Sequence, residues 1–253
     1  MHKVAVFYHC HPINNGIANL TYFLEKGYRE DVDFFIACVD FEPPANVNNV
    51  KFFKVENDSH DFGGFSRLLN DIDIPQYDFF GFFNSSSLGP VFNPKEKSNW
   101  LDYFLDRFLG DVGICGSTIN CLSSYSPHFK FVQNFLDSDK TYYHVQTYSY
   151  VLSLQALQTL VDAKFFRWPT KWSKTETILN YELGLTAHLL NHGFNISCLV
   201  KEYENIDFRI RSEASKKLEY IGDPCFLGAI NGRSLDGNEV LFIKPSRGFR
   251  VPG

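Results

Sequence analysis

Short apolar runs alternate with helical and turn segments along the first half of the chain. The runs are rich in Val, Ile and Phe, and the first two have the pattern of strands that are buried on both faces. They lie at 4–8, 32–39, 50–55, 77–83 and 112–115. Helical segments are predicted up to Gly27, over 64–70 and over 99–109. Strands that alternate with helices predict an α/β fold with a mostly parallel central sheet flanked by helices.

The second half of the chain has a more mixed pattern. Residues 144–154 alternate between apolar and polar positions and predict a strand that leads into a helix over 155–161. The clearest helix is predicted over 175–191, and a strand follows over 195–200. Turn residues predominate after residue 203. We therefore expect one domain over 1–203 and an irregular C-terminal tail over 204–253 that packs on the same domain.

Charge and cysteine content exclude several functional classes. The net charge is −5 and no basic run is present, so we expect no binding to nucleic acid. No stretch approaches 18 consecutive apolar residues, and the first residues do not resemble a signal peptide, so we expect no transmembrane segment. The six cysteines are widely spaced without a Cys-x-x-Cys pair, which predicts free thiols in a reducing cytoplasm and no zinc site.

Polar residues follow the predicted strands where their carboxyl ends should meet, which is where open α/β sheets bind ligands. His9, Asp40, Asn57 and Asn84 occupy such positions. Between them, Asp61 precedes two adjacent glycines at a predicted helix start. Glycines there let backbone N–H groups approach a phosphate or ribose, and the carboxylate suits ribose hydroxyls. The alternative interpretation of this segment is an ordinary turn with an aspartate N-cap.

Glu182 is the most informative single residue in the sequence. Helical spacing places it on one face with Ile178, Leu185 and Leu189. A carboxylate on an apolar face is costly unless it is paired or used. Two interpretations follow. Glu182 is either a structural carboxylate, which pairs with an Arg or Tyr or reaches solvent at the edge of the apolar face, or a general base or acceptor anchor in a pocket.

An ordered set of short motifs resembles the rhamnan synthesis F family of glycosyltransferases. The motifs lie at 56–64, 77–78, 84–90 (Asn-Ser-Ser-Ser-Leu-Gly-Pro), 116–118, 144–148 (His-Val-Gln-Thr-Tyr), 166–168 and 181–186 (Tyr-Glu-Leu-Gly-Leu-Thr). They span about residues 55–200 in the order that the family shows. The resemblance implies a small single-domain bacterial or viral member with a GT-A-like, Rossmann-related fold. It also implies transfer of rhamnose or another deoxyhexose during surface polysaccharide synthesis.

The resemblance assigns roles to the candidate residues. The implied donor is a UDP-, GDP- or dTDP-sugar, the implied acceptor is a glycan or glycoprotein, and Glu182 is the catalytic base. The residues expected to bind the nucleotide sugar are Tyr8, His9, Asp40, Asn57, Asp61, Gly63, Gly64, Asn84 and Ser86. Those expected at the donor sugar or acceptor are His144, Gln146, Trp168 and Trp172, although core packing is the commoner role of tryptophan.

One departure from the family pattern concerns metal. Ser85 stands where the family has an acidic residue, and Mg²⁺ and Mn²⁺ prefer carboxylate oxygens. We therefore expect no metal site made by the protein alone. Binding of Mg²⁺ or Mn²⁺ together with the nucleotide sugar is a second possibility that the sequence leaves open.

A non-catalytic carbohydrate-binding protein on the same fold is the alternative function. Release of a nucleoside diphosphate from a nucleotide sugar distinguishes the enzyme from this alternative.

Overall fold

A seven-stranded sheet forms the centre of the protein. The computed structural model describes residues 2–58, 60–93, 95–122, 126, 128–130, 143–167 and 172–247. Its strands are β1 (Val4–Cys10), β2 (Val32–Val39), β3 (Val50–Val55), β4 (Phe79–Asn84), β5 (Val112–Gly116), β6 (Ile119–Cys121), β7 (Tyr143–Val145), β8 (Ser149–Ser153) and β9 (Asn195–Cys198). The order in the large sheet is β3-β2-β1-β4-β8-β5-β9, and β6 pairs with β7 in a separate two-stranded ribbon.

The large sheet is mostly parallel, as the alternating pattern predicts. β1 pairs in parallel with β2 and β4, β2 with β3, and β5 with β9, whereas β8 runs antiparallel to both of its neighbours. Every residue of β1 is buried, because helices and loops cover both faces of this central strand. The edge strand β3 instead exposes Lys51 and Lys54, and charged side chains on an edge strand discourage pairing with another chain.

Helices cover the two faces of the sheet. They are α1 (Gly16–Gly27), α2 (His60–Leu69), α3 (Leu101–Leu105), α4 (Leu154–Asp162), α5 (Lys174–Thr177), α6 (Gly184–Asn191), α7 (Glu213–Leu218) and α8 (Gly237–Val240). Short 3₁₀ segments occur at Ile74–Gln76, Lys201–Tyr203 and Pro245–Arg247. A π-helical segment, Ile178–Leu183, joins α5 to α6, so the helix predicted over 175–191 exists but changes its hydrogen-bond pattern in the middle.

Three predicted elements differ from the structure, and one of them is the helix expected over 99–109, of which only Leu101–Leu105 is helical. The single strand expected over 144–154 is two strands, because β7 pairs with β6 while β8 enters the large sheet. The helix expected to begin at residue 64 begins at His60, which has a positive φ of 57°. Two adjacent glycines therefore lie inside α2 instead of at its first turn, and both are buried.

Aromatic side chains fill the core on both faces of the sheet. On one face Phe82 lies between Phe7 and Tyr150, with ring centroids 5.0 Å apart in both pairs. On the other face Phe23, Trp100 and Phe242 belong to a second cluster. The high aromatic content of the sequence is therefore accounted for largely by these two clusters, since each ring buries a large apolar area.

Part of the C-terminal tail is paired with the loop that follows β4. Leu88 and Ile243 exchange two backbone hydrogen bonds of 2.9 Å, and the Val91 N–H donates to the Leu241 carbonyl over 2.7 Å. Leu241, Phe242 and Ile243 are all buried. We call residues 241–244 the C-terminal strap. Among the described residues, no helix has the length and apolar character needed to cross a membrane.

Candidate functional site

A cleft of about 1110 Å³ opens at the carboxyl ends of β1 and β4. The chain extends the sheet from β1 through β2 to β3 on one side and then returns to place β4 on the other side of β1. Strand order therefore reverses between β1 and β4, and open α/β sheets bind ligands at such a point. His9 at the end of β1 lies opposite Asn84 at the end of β4, and both line the cleft.

Asn84 holds a hydrogen-bonded network in the floor of the cleft. Its Nδ2 donates to Oδ2 of Asp61 over 2.7 Å. Its Oδ1 accepts from the Ser86 backbone N–H at 3.1 Å and from the Ser86 hydroxyl at 2.5 Å. Burial raises the pKa of Asp61, and the hydrogen bond from Asn84 opposes that rise. All three residues line the cleft, so the structure brings together three of the predicted nucleotide-sugar residues.

Glu182 lines the same cleft from the π-helical segment. Single π-helical turns are frequent at functional sites. Burial raises the pKa of Glu182 to about 7, the charge of Asp61 adds to the rise, and the charge of Lys244 opposes it. Within the described part of the chain, Glu182 forms no hydrogen bond or ion pair. The interpretation of Glu182 as a paired structural carboxylate therefore finds no partner there, and its catalytic role stays a prediction.

His9 is neutral and packed tightly against α2. Burial, together with the charges of the neighbouring His11 and His60, lowers its pKa to about 3. Its Nε2 has no hydrogen-bond partner among the described residues. A Cβ atom on Gly64 would lie 2.3 Å from Cδ2 of His9, so only glycine allows this contact. The structure thus gives Gly64 a packing role beside His9, which differs from the predicted approach of its backbone to a phosphate.

The opposite wall of the cleft carries His144 and Gln146. Burial lowers the pKa of His144 to about 4, and its Nδ1 lacks a partner among the described residues. The Gln146 carboxamide accepts from Thr118 Oγ1 at 2.6 Å and donates from Nε2 to Asp223 Oδ1 at 3.2 Å. Both predicted sugar-contact residues therefore face the cleft, and Asp223 of the tail joins them.

Several predicted site residues lie outside the cleft wall. Tyr8 is 1% exposed and packs against Phe23, with ring centroids 4.6 Å apart. Trp172 packs on Tyr181 at 4.7 Å. The predicted residues that do not line the cleft are Tyr8, Asp40, Gly63, Gly64 and Trp172, whereas Asn57 does line it. The predicted residue Trp168 lies outside the described residues.

Asp40 and Asn57 meet at His11, which the sequence analysis did not select. The Asp40 carboxylate is exposed and lies 3.9 Å from His11 Nε2. The Asn57 Nδ2 lies 3.2 Å from the same nitrogen, and Asn57 and His11 both line the cleft. The side chain of Asp40 therefore borders the site through His11 instead of facing the cleft itself.

Positive charge enters the cleft from elements that the sequence analysis assigned no role. Lys174 comes from α5, and Lys244 and Arg247 come from the C-terminal tail. Arg247 is one of five arginines in the tail over 204–253. Nothing in the local sequence predicts that Lys244 approaches the cleft, because its position depends on the backbone pairing between Leu88 and Ile243.

The residues around Ser85 do not fit a metal ion held by the protein alone. The Ser85 hydroxyl accepts from the His11 N–H at 3.0 Å and donates to the His11 carbonyl at 3.2 Å, so it joins β4 to the end of β1. The neighbouring Asn84 and Ser86 bond to each other instead of offering carboxylates. Over the described ranges, no group of three or more His, Cys, Asp or Glu residues is arranged to hold a metal.

No protein-family model and no curated protein sequence matches the chain, so membership of the rhamnan synthesis F family stays a prediction. Several solved structures are similar to the chain at low identity. The catalytic domain of Drosophila β1,4-galactosyltransferase 7 in complex with xylobiose is 10% identical with a TM-score of 0.38, and the match covers 81% of this chain and 66% of that one.

Two further structures illustrate the range of similar folds. A mannosyltransferase from Pyrobaculum calidifontis in complex with GDP-Man and Mn²⁺ is 12% identical with a TM-score of 0.42, covering 78% of this chain and 54% of that one. A 4-diphosphocytidyl-2C-methyl-D-erythritol synthase from Anaerococcus prevotii is 7% identical with a TM-score of 0.42, and the match covers 86% of this chain and 97% of that one. This chain thus spans 66% and 54% of the lengths of the galactosyl- and mannosyltransferase chains.

Proposed function

We propose that this protein is a glycosyltransferase that moves a sugar from a nucleoside-diphosphate sugar to an acceptor glycan. The observation that carries the proposal is the position of Glu182. This carboxylate lacks a partner among the described residues, has a pKa raised to about 7 and faces a cleft at the point where strand order reverses. A base with a pKa near the working pH is the group that activates a hydroxyl nucleophile most effectively.

The proposed reaction is an in-line displacement at the anomeric carbon of the donor. Glu182 takes the proton of the acceptor hydroxyl as its oxygen forms a bond to that carbon. The bond between the carbon and the diphosphate oxygen breaks at the same time, and the electron pair leaves with the nucleoside diphosphate. Displacement from the opposite face inverts the anomeric configuration. The neutral side chains of His9 and His144 are suited to hydrogen bonding with sugar or ribose hydroxyls, since each has a ring nitrogen without a partner among the described residues.

The donor is proposed to lie between the β1 and β4 ends. Asp61, fixed by Asn84, is suited to accept hydrogen bonds from ribose or sugar hydroxyls. The acceptor then enters from the side of His144 and Gln146, which line the cleft together with Glu182. The resemblance stated above favours rhamnose or another deoxyhexose as the transferred sugar.

A thermal-shift screen against UDP-, GDP- and dTDP-sugars tests the proposal first. A ligand that binds only the folded state raises its stability, so the cognate donor is expected to raise the Tm. Incubation with that donor should then release a nucleoside diphosphate, slowly by hydrolysis and faster with an acceptor. Release of pyrophosphate from a nucleoside triphosphate would identify nucleotidyl transfer instead. Glycan binding without affinity for nucleotides would identify the carbohydrate-binding alternative.

A further inference from the structure

We propose that Lys244 and Arg247 form a subsite for the diphosphate of the donor, where they do the work that a divalent metal ion does in other enzymes of this chemistry. The inference deepens the proposed function and rests on it for the identity of the ligand as a nucleoside diphosphate. The subsite itself is defined by the side chains of the tail and by the β4 loop.

Backbone hydrogen bonds join the C-terminal strap to the loop after β4 at two positions, Ile243 and Leu241. The two hydrogen bonds between Leu88 and Ile243 place the next residue, Lys244, beside the segment that contains Ser86. The bond from the Val91 N–H to the Leu241 carbonyl extends this pairing by one further contact. Leu241 and Ile243 are 0% exposed, so the strap is anchored in the core and not merely laid on the surface. A cation carried by such a backbone has a defined position at the cleft.

The Lys244 side chain lines the cleft. Its Nζ lies 5.1 Å from the centroid of the Tyr148 ring, which is a cation–π contact. Within the described part of the chain, it forms no hydrogen bond and no salt bridge. It is near enough to Asp61 and Glu182 for its charge to oppose the rise that burial produces in the pKa of each. The ammonium group therefore keeps its three donors for a ligand.

Arg247 lines the same cleft and is oriented by two contacts of its own. Its guanidinium lies over the Phe226 ring at 4.5 Å, and its Nη1 is 3.7 Å from Asp223 Oδ2. Both contacts orient the group without using its full set of five donors. An arginine fork binds phosphate oxygens in pairs, whereas a lysine binds them as a point charge, so the two residues are complementary.

A diphosphate is the anion that this arrangement fits best within the proposed reaction. The leaving nucleoside diphosphate gains negative charge as the bond to the sugar breaks, and fixed positive groups stabilise that charge most when they are already in place. The β4 loop offers hydroxyl and amide groups where carboxylates would be needed to hold a metal ion. Two cationic side chains carried by the tail satisfy the same electrostatic requirement.

Calorimetric titration with inorganic pyrophosphate in the presence of EDTA tests the subsite. The full chain is expected to bind pyrophosphate without a metal, and Lys244→Met is expected to weaken binding about 10-fold or more, the loss typical of a charge-assisted contact. Methionine keeps an apolar stem against Tyr148, and an unchanged Tm confirms that the variant is folded. The matched control is Lys201→Met, which removes one positive charge from an exposed position outside the cleft and should leave the affinity unchanged.

The outcomes separate the subsite from the proposed function. Equal pyrophosphate affinity of Lys244→Met and the parent overturns the subsite, and so does binding that appears only when Mg²⁺ or Mn²⁺ is added. Turnover of a nucleotide sugar that EDTA abolishes and Lys244→Met leaves unchanged would keep the proposed function and reject the subsite. Metal-free pyrophosphate binding that depends on Lys244, in a protein that binds no nucleotide sugar, would keep the subsite and reject the proposed function.

Discussion

Asn84 donates a hydrogen bond from Nδ2 to Oδ2 of Asp61 over 2.7 Å, and this bond joins the end of β4 to the first turn of α2. The Asn84 carboxamide cannot rotate freely, because its oxygen is bonded to the backbone and hydroxyl of Ser86. Ser86 thus fixes the Asn84 carboxamide, and Asn84 in turn sets the orientation of the Asp61 carboxylate. Donor binding and the ionisation of Asp61 should both depend on this pair.

Replacement of Asp61 by alanine is expected to weaken binding of the cognate nucleotide sugar by about 1.5–3 kcal/mol, the cost of a lost charge-assisted hydrogen bond. Isothermal titration calorimetry measures the change. Asp71→Ala is the matched control, since it removes the same side chain from an exposed position after α2 that does not line the cleft. An affinity equal to that of the parent would remove Asp61 from the donor site.

Replacement of Asn84 by alanine is expected to raise the pKa of Asp61 further, because it deletes the bond that opposes the effect of burial. In the folded parent, the pKa of Asp61 already exceeds its value in the unfolded chain, so the free energy of unfolding falls as the pH rises through the folded-state pKa. Because the pKa is raised further in the variant, its free energy of unfolding should fall by more. The deficit of the variant in the free energy of unfolding should therefore grow with pH. Urea unfolding at several pH values measures it. The same deficit at every pH would mean that the bond does not act through ionisation.

The strands and the cleft follow from local sequence to different degrees. Runs rich in Val and Phe predict β2 and β3 with the bounds that the structure shows. β2 is almost wholly buried, because both of its faces are covered, whereas β3 exposes Lys51 and Lys54 at the edge of the sheet. Asn84 and Asp61 are brought to one cleft, as expected for residues near the carboxyl ends of parallel strands, and Glu182 joins them from the π-helical segment. Their assignment to donor and acceptor roles remains a prediction.

Other features depend on contacts between distant parts of the chain. The π-helical segment that carries Glu182 has the same apolar spacing as an ordinary helix, so periodicity cannot reveal it. Gly64 was expected to approach a phosphate, but its constraint comes from His9 on a different strand. Lys244 reaches the cleft because the strap pairs with Leu88, and no local pattern encodes that pairing.

Titration of the apo protein with Mn²⁺ is expected to show no site of micromolar affinity. Ser85 bonds to the His11 backbone and Ser86 bonds to Asn84, so neither position offers the hard carboxylate oxygens that Mn²⁺ prefers. Calorimetry without nucleotide measures this directly, and a repeat with a nucleoside diphosphate tests an ion carried by the ligand. A micromolar site in the apo protein would show that residues other than these bind metal.

Replacement of Gly64 by alanine is expected to destabilise the protein by about 1–3 kcal/mol, as overpacking of a filled core does. The new Cβ would lie 2.3 Å from His9 Cδ2, and the buried ring has little room to move. Gly184→Ala is the matched control, because its Cβ would meet ordinary contacts of 3.5 Å and 3.8 Å within a helix. Chemical denaturation compares the two variants. Equal stability of Gly64→Ala and the parent would show that His9 can repack.

Replacement of Glu182 by glutamine separates a catalytic from a structural carboxylate. A neutral isostere cannot take a proton, so turnover should fall about 10²–10⁴-fold. The native pKa of about 7 exceeds the ordinary value of 4.5, so the parent loses stability as the pH rises from 4.5 to 7 while the variant does not. The variant should therefore match the parent near pH 4.5 and exceed its stability by about 1–3 kcal/mol at pH 8. Glu25→Gln, on the exposed side of α1, controls for net charge and should change neither quantity. Full turnover together with a lowered Tm at pH 8 would identify Glu182 as a structural residue.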